Sequence, residues 1–592
     1  MQNILEKIKS RPLLTVAIVF SVIALALYAN TFNNQMFWDD QDGILNNAFI
    51  KDWSYFPKFF SENLIAGSGL TSNYWRPLLL TVFSLEWRLW GDNPFGYHLI
   101  NTLAHLAAAL CLFAVIKKIF NKSWLASAAS LIFLIHPLQT EAVTYVSGLA
   151  DPLSALFTLL AIWFWLKFRD SGKAILQSKD YLIAILMYIA CLLTKDSAFV
   201  AVGAIGLVDY FYQPQNNPFW TKLKFTLQAL WPFLAITGIY TLLRATVLNF
   251  QNTFNLYNEE NLFTSNFHVR LLTFLKVLAI YFGLMFWPNN LHMERTTPYA
   301  LNFSEPLVWV GSIILLILLY FAFGRAKRYP VVSFGILWFL GLLFPHSNLL
   351  VPTAGLLYEH WLYLPMVGIF ISVLWLAYEF YSTLRQNTEW KLLPAIKYSS
   401  IALLIVWSTV LSAKTIIRNN DWQDPITFYN QTLQYNTTYR VLNNLGMAYA
   451  ETNDHEMAKI TYYRAISMNP EVAVAYHNLG NTYKESGDNE LAIKNFRKAI
   501  EMQPDFIFSY NALASLYLED KNYEQTRSIL EQLLNNSDND FDILILLTNI
   551  SIEERNYQKT VEYLTTLKSL APNDAQITQE LKRFQDLANL EK

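Results

Sequence analysis

The sequence is poor in charge. Only 15% of its 592 residues are Asp, Glu, Lys or Arg, whereas 53% are hydrophobic. An average soluble protein is about 25% charged. This composition excludes a disordered chain and a single soluble domain. Cysteine is nearly absent. Cys111 and Cys191 both lie in apolar runs, which excludes a secreted disulfide scaffold and argues against redox chemistry. The net charge of −2 gives no basis for nucleic-acid binding. The shortage is also uneven. From Arg440 to the end, 23 acidic and 15 basic residues occupy 38 of 153 positions, or 25%. The first 439 positions hold the other 23 acidic and 29 basic residues, or 12%. One chain therefore joins a front of membrane type, net +6, to a tail of soluble composition, net −8.

A spanning helix needs about 20 mostly apolar residues. The first such run, Leu13–Ala29, follows Lys7, Lys9 and Arg11 and lacks a small-residue cleavage site. It reads as a retained first helix with a cytoplasmic N-terminus. Further runs lie near 97–116, 123–136, 149–168, 180–194, 197–212, 226–248, 270–288, 306–324, 330–345, 361–381 and 398–413. Basic clusters at Lys117/Lys118/Lys122, Lys167/Arg169/Lys173, Arg325/Lys327/Arg328 and Arg385/Lys391/Lys397 belong on the cytoplasmic side. Loops 30–96, 137–148 and 346–360, and everything after the last span, then face outward. Twelve runs would return the tail to the cytoplasm. We therefore expect about 11 spans, with one segment between 180 and 290 re-entrant or interfacial.

The tail repeats. Leu445-Gly446, Leu479-Gly480, Leu513-Ala514 and Leu547-Thr548 are spaced by 34 residues, as are Tyr449, Tyr483 and Tyr517. Pro470 and Pro504 keep the same phase, with Asp538 and Pro572 in the next slots. This is the tetratricopeptide pattern, in which small residues let paired helices approach and Pro ends each pair. The expected division is 1–420 membrane domain and 421–592 repeat domain. The latter comprises a half-repeat 425–439, repeats 440–473, 474–507 and 508–541, a degenerate repeat 542–574 and a closing helix 575–590. Such a solenoid offers a groove for a peptide or protein. Asn443, Asn444, Asn478 and Asn511 lie on the first helices and are candidates to bind a peptide backbone, or else only to cap and solvate them.

In the first outer loop, Asp39 and Asp40 stand side by side, with Asp42 close behind. Carboxylates beside a membrane helix are costly unless solvated, paired or used. One can serve as general base while the other supports it. With Asp42 they can also form a metal site, or simply an acidic loop in water. Polar groups recur at other membrane borders: His136 to Glu141, Ser147 to Asp151, Thr194-Lys195-Asp196, Arg244, His346 and Glu359-His360. Helix-to-helix ion pairs rival function for each of them, and Lys195–Asp196 can be a structural pair.

In order and spacing the chain resembles the transmembrane and tetratricopeptide-repeat-containing O-mannosyltransferases, of the GT-C class. The matching pieces are Phe37-Trp38-Asp39-Asp40, Tyr74-Trp75-Arg76-Pro77, Gly96-Tyr97-His98, His136 to Gly148, Leu193 to Asp196, Glu359 to Pro365, and Arg418-Asn419 with Trp422. His360 stands where eukaryotic members usually carry Arg. The resemblance implies an all-α, polytopic, GT-C-like transmembrane domain followed by the repeat solenoid. It implies an inverting transfer of a sugar, such as mannose, from a polyprenyl-phosphate donor to a hydroxyl acceptor, Ser or Thr of a protein, on the outer face. Asp40 is then favoured as base, with Asp39 as second carboxylate. Arg76, Lys195, Arg244, His346 and His360 are expected at the donor phosphate, and His136, Glu141 and Glu359 as substrate-positioning groups. No metal and no cofactor beyond the lipid-linked sugar is expected. Partners are the lipid bilayer, the donor and a protein acceptor. The Asn, Ile and Lys content of the tail and the lack of a cleavable leader point to a bacterial cytoplasmic membrane, with the repeats outside. The alternatives are a non-catalytic membrane-anchored scaffold and a transferase acting on an envelope glycan or lipid.

Overall fold

The computed structural model describes residues 12–590 apart from 215–216, 251–260, 354, 388–392, 537–540 and 573. Lys7, Lys9, Arg11, Lys391 and Asp538, used above for topology and repeat phase, lie outside the described residues. Every regular element among the described residues is helical. The chain divides into two units, Met1–Phe428 and Tyr429–Lys592. The first extends past residue 420 because Trp422 and Phe428 pack on Phe37 of the first loop, with ring centroids at 6.1 and 5.2 Å.

The first unit is of multi-pass membrane type. Its main helices begin with α1 (Pro12–Tyr28), α2 (Pro77–Trp90), α3 (Pro94–Phe120), α4 (Ser123–Ile135), α5 (Ala150–Ser171), α6 (Lys179–Leu192) and α7 (Ala201–Tyr212). There follow α8 (Phe219–Ala245), α9 (Phe267–Phe286), α10 (Pro306–Leu319), α11 (Pro330–Leu343), α12 (Met366–Asn387) and α13 (Leu393–Asp421). Eight stretches among the described residues are long and apolar enough to cross a membrane. They are Leu13–Thr31, Pro94–Phe120, Val146–Ser171, Phe219–Ala245, Phe267–Phe286, Pro306–Gly324, Met366–Gln386 and Leu393–Asp421. Ser123–Ile135 and Pro330–His346 are apolar but shorter. The apolar region 180–212 breaks at Thr194-Lys195-Asp196 into α6 and α7. The 14 residues of α6 rise only about 21 Å, short of the roughly 30 Å hydrocarbon core.

Polar side chains inside the bundle tie its loops together. Asn101 on α3 donates to the carbonyls of Tyr145 (2.9 Å) and Val146 (3.2 Å). His98, one turn earlier, donates to the Asn34 carbonyl at 3.1 Å. Asn419 near the end of α13 donates to the Leu27 carbonyl (2.8 Å), and its amide oxygen accepts from Thr144 (2.7 Å). The chain between α4 and α5 is thus fixed from α3 and from α13, while His98 and Asn419 also tie down the first loop and the end of α1, and each bond satisfies a backbone group or buried amide that would otherwise cost free energy.

In the second unit, helices pair as α14 (Tyr439–Glu451) with α15 (His455–Met468), α16 (Ala473–Glu485) with α17 (Asn489–Met502), α18 (Ile507–Glu519) with α19 (Tyr523–Asn536), and α20 (Phe541–Glu553) with α21 (Tyr557–Leu570). Helix α22 (Ala575–Leu590) follows, with Phe584 buried and Leu581 packed on the same core. Glycine is needed where the paired helices touch. A Cβ on Gly446 would lie 2.6 Å from the Tyr462 ring, and one on Gly480 2.7 Å from Phe496. The turn inside each pair also repeats. Asn453, Gly487, Lys521 and Arg555 have positive φ, and Asp454, Asp488, Asn522 and Asn556 then cap the second helices.

Candidate functional site

The first loop sets its two carboxylates differently. Trp38 has φ of 63°, a left-handed conformation rare for a bulky residue. The chain turns there, leaving Asp39 exposed and Asp40 1% exposed. One Asp40 oxygen accepts the Ser147 backbone N–H at 2.8 Å and the Ser147 hydroxyl at 2.5 Å. The other accepts the Phe37 N–H at 3.3 Å. Burial pushes the Asp40 carboxyl up to about 7, against the hydrogen bonds from Ser147 and Phe37. The Asp39 backbone N–H donates to the Tyr145 hydroxyl at 3.0 Å. Burial, with the Asp39 and Asp40 charges adding to it, holds that hydroxyl well above its ordinary range. Tyr145 in turn stacks on Trp422, with centroids 5.2 Å apart.

Ser147 lies four residues before Asp151, which opens α5. Asp151 is ion-paired with Lys195, and both line a cavity of about 70 Å³. The cavity also takes Ser154, Ser197, His346, His360 and Trp361, with an apolar side of Ala155, Ala201, Leu342 and Leu364. Ser147 lies on the 3-10 turn Val146–Leu149 that leads straight into α5, so the anchor of the carboxylate loop and the anchor of Lys195 sit about one turn apart along the chain. His346 stacks on Trp361 with centroids 4.5 Å apart. His360 Nδ1 lies 2.7 Å from a Glu141 oxygen. Three residues assigned from sequence to a phosphate therefore meet in one cavity.

The other two do not line it. Arg76 and Arg244 both hold Asp196, at 3.1 and 3.5 Å. Arg244 also donates to the carbonyls of Leu248 (2.6 Å) and Asn73. Lys195 thus pairs with Asp151 and not with its neighbour Asp196, because adjacent residues at a helix break point apart. His136 is fully buried. Its Nε2 donates to the Met285 carbonyl at 2.9 Å and its Nδ1 accepts from the Leu138 N–H at 3.2 Å. Burial lowers it to about 4. With both nitrogens committed, His136 fastens the loop and does not face the cavity. Glu359 is also 1% exposed and accepts from the His292 N–H (2.9 Å) and Arg295 (3.1 Å). Burial raises it, with Glu141 adding and Arg418 and Arg295 opposing. Burial would raise Glu141 as well, but contact with His360 and the charge of Arg418 hold it below the ordinary value. Ser147, Tyr145, Asp151, Arg295 and Arg418 are parts of this site missing from the sequence-based assignment. All but Arg295 lie inside stretches singled out in the sequence, which gave them no role; nothing in the sequence marked Arg295. No group of three or more His, Cys, Asp or Glu side chains disposed to hold a metal occurs among the described residues.

In the repeat unit, Asn443 is 5% exposed and accepts from Asn478 at 3.1 Å. These two link neighbouring first helices to each other. Asn444 is half-buried and Asn511 exposed.

Fold and site together define a polytopic helical membrane protein carrying a tetratricopeptide array. Residues 439–472, 473–506 and 495–527 match the tetratricopeptide repeat family. Over 77% of its length the chain is 26% identical to protein O-mannosyl-transferase Tmtc1 of Drosophila melanogaster, covering 62% of that protein. It is 24% identical to protein O-mannosyl-transferase F38B6.6 of Caenorhabditis elegans, over 78% of this chain and 64% of that one. It is 26% identical to protein O-mannosyl-transferase TMTC3 of Mus musculus, over 77% and 51%. The chain is a homologue of the transmembrane and tetratricopeptide-repeat-containing protein O-mannosyl-transferases. It spans between half and two thirds of the length of these relatives.

Proposed function

We propose that this protein is an inverting GT-C glycosyltransferase that moves a sugar, mannose in the first instance, from a polyprenyl-phosphate donor to a protein Ser or Thr hydroxyl on the outer face of the membrane. The observation that carries this reading is the one-turn spacing between Ser147, which holds the carboxylate loop, and Asp151, which holds Lys195 in the cavity. In this reading the base and the phosphate-binding groups act on the two ends of one displacement.

Asp39 is the base in this proposal, since its carboxylate is exposed to an incoming hydroxyl. Asp40, buried and held at both oxygens, keeps the loop in place. This reverses the preference drawn from sequence, where the two carboxylates could not be told apart. Asp39 takes the acceptor proton, the acceptor oxygen attacks the anomeric carbon, and the bond to phosphate breaks with its electron pair on the phosphate oxygen. Lys195, His346 and His360 stabilise that growing charge, and the apolar cavity wall receives the start of the lipid. Arg76 and Arg244 act through Asp196 to hold the Lys195 segment. The repeats recruit the acceptor or a partner.

The test is transfer of mannose from a polyprenyl-phosphate donor to acceptor protein by the purified full chain and its Asp39→Asn variant. Loss of a general base lowers turnover by about 10²–10⁴-fold. Unchanged turnover in the variant sinks the assignment. If no protein is modified while an envelope polymer changes in a deletion strain, the acceptor is a glycan or lipid. If no transfer to any acceptor is found, the scaffold reading stands.

A further inference from the structure

The inference rests on the transferase reading with Asp39 as base, and concerns what holds that residue in place. An exposed side chain on a loop gains precision only from the groups that fix the backbone beneath it. For Asp39 one such group is Tyr145, whose hydroxyl accepts the Asp39 N–H at 3.0 Å and also interacts with the Asp39 carboxylate. Tyr145 is buried, at 7% exposure. Its ring stacks on Trp422, with centroids 5.2 Å apart and planes 25° from parallel. A tyrosine ring turns about only two side-chain torsions, so a stacked neighbour also sets where the hydroxyl lies.

Trp422 directly follows α13 and is 1% exposed. Besides Tyr145, its indole packs on Phe428 at 4.4 Å and on Phe37 at 6.1 Å. Phe428 in turn meets Trp38 edge to face at 5.8 Å. The backbone repeats the pattern. The Gln35 N–H donates to the Gln423 carbonyl at 3.0 Å, and the Asn34 amide to the Asn419 carbonyl at 3.1 Å. The residues leading into Asp39 are therefore held along their length by residues 419–428. The indole N–H of Trp422 has no hydrogen-bond partner among the described residues. Buried tryptophans ordinarily have one, so this residue contributes its ring and not its polar edge. That ring joins two segments far apart in sequence, the Phe37 side and the Tyr145 side, and both end on Asp39.

We propose that Trp422 is a positioning residue for the transfer: its ring, in contact with both Tyr145 and Phe37, holds the Asp39 carboxylate where the acceptor hydroxyl loses its proton. Trp422 itself touches neither donor nor acceptor. The chain just beyond α13 then belongs to the catalytic apparatus and is more than a stalk leading to the repeats.

The test is steady-state transfer of mannose from a polyprenyl-phosphate donor by the detergent-solubilised full chain, with Trp422→Leu, Trp422→Phe and Tyr145→Phe each made in the wild-type and the Asp39→Asn background. Trp422→Leu should lower kcat about 10²-fold, the scale of a small misplacement of a reacting group. Trp422→Phe keeps a stacking ring and should recover most of that loss. Tyr145→Phe keeps the stack and loses only the hydroxyl, and should lower kcat about tenfold. The donor cavity is anchored separately by Asp151 and Lys195, so KM for the donor should stay within about twofold in all three. Without the base its placement no longer matters, so in the Asp39→Asn background none of the three should lower the residual turnover more than about twofold. Equal falls in both backgrounds mean that Trp422 only supports the fold, and overturn the proposal. A rise in KM at constant kcat, or an unchanged kcat in Tyr145→Phe, overturns it as well. If Trp422→Leu cannot be purified, Tyr145→Phe in the two backgrounds decides. Full turnover in Asp39→Asn removes the base assignment, and a wild type that transfers to no acceptor removes the transferase reading. Both are distinct from a Trp422 effect that ignores Asp39.

Discussion

Replacing Asp40 by asparagine should stabilise the protein at alkaline pH. The carboxyl is 1% exposed, and burial holds it at about 7 where the ordinary value is 3.8. The unfolded chain releases this proton near pH 4, whereas the folded chain keeps it until pH 7. Across that interval the folded state binds more protons, so its stability falls as pH rises. At about 1.4 kcal/mol per pH unit, ionising Asp40 costs the fold roughly 4 kcal/mol above pH 7. Asparagine carries no such charge. Its carbonyl oxygen can still accept from the Ser147 N–H and hydroxyl, but its amide meets the Phe37 N–H, now 3.3 Å from an Asp40 oxygen. Losing that weak bond costs about 1 kcal/mol. The net gain is about 3 kcal/mol at pH 8 and shrinks to under about 1 kcal/mol at pH 5, where the unfolded chain has ionised but the linkage has cost only about 1.7 kcal/mol. Thermal unfolding in detergent, followed by tryptophan fluorescence at both pH values, checks this. The variant should melt several degrees above wild type at pH 8, and this margin should shrink several-fold at pH 5. A difference that ignores pH, or a less stable variant at pH 8, refutes the reasoning.

Lys195→Gln removes the cation that Asp151 holds in the cavity; turnover should fall about 10²–10³-fold, as for loss of one transition-state donor, measured with the lipid-linked sugar. Gly148→Ala drives a Cβ to 2.7 Å from the Glu141 carbonyl and 2.9 Å from that of Ala142. Backbone on both sides cannot yield, so Ser147 shifts; the melting temperature should drop by an amount corresponding to about 1–3 kcal/mol, with transfer reduced further than stability. Gly446→Ala places a methyl 2.6 Å from the Tyr462 ring and should loosen α14 against α15 by about 1–3 kcal/mol, seen as faster hydrogen exchange in those two helices.

Different parts of this molecule were legible to different degrees. The repeats could be read because their constraint is periodic: Gly446 and Gly480 each face an aromatic ring of the partner helix, and the same contact recurs every 34 residues. The apolar runs marked the membrane unit, and eight stretches among the described residues reach spanning length while others are shorter. The break at Lys195 shortens α6 and α7, and Ser123–Ile135 is also short, whereas hydropathy responds to composition more than to where a helix ends. Within the site, the Asp39–Asp40 pair was visible as a pair. Their division into one exposed and one buried group was not, because it depends on the φ of Trp38 and on Ser147, which is 107 residues away. Lys195 was singled out correctly as a polar interruption, yet its partner Asp151 lies 44 residues back in the chain. Neighbours in sequence were poor guides to ion pairing, as Asp196 turned to Arg76 and Arg244 instead.

The brevity of α6 acts as a ruler. Its 14 residues reach about two thirds of the way across a typical hydrocarbon layer, and the cavity begins just beyond its end. On the proposed transferase reading, with α6 starting at the cytoplasmic interface, a donor phosphate has to sink several ångströms below the outer headgroups to reach the cavity. On that reading the thickness of the surrounding lipid sets the rate of transfer, and reconstitution in bilayers of graded chain length tests it.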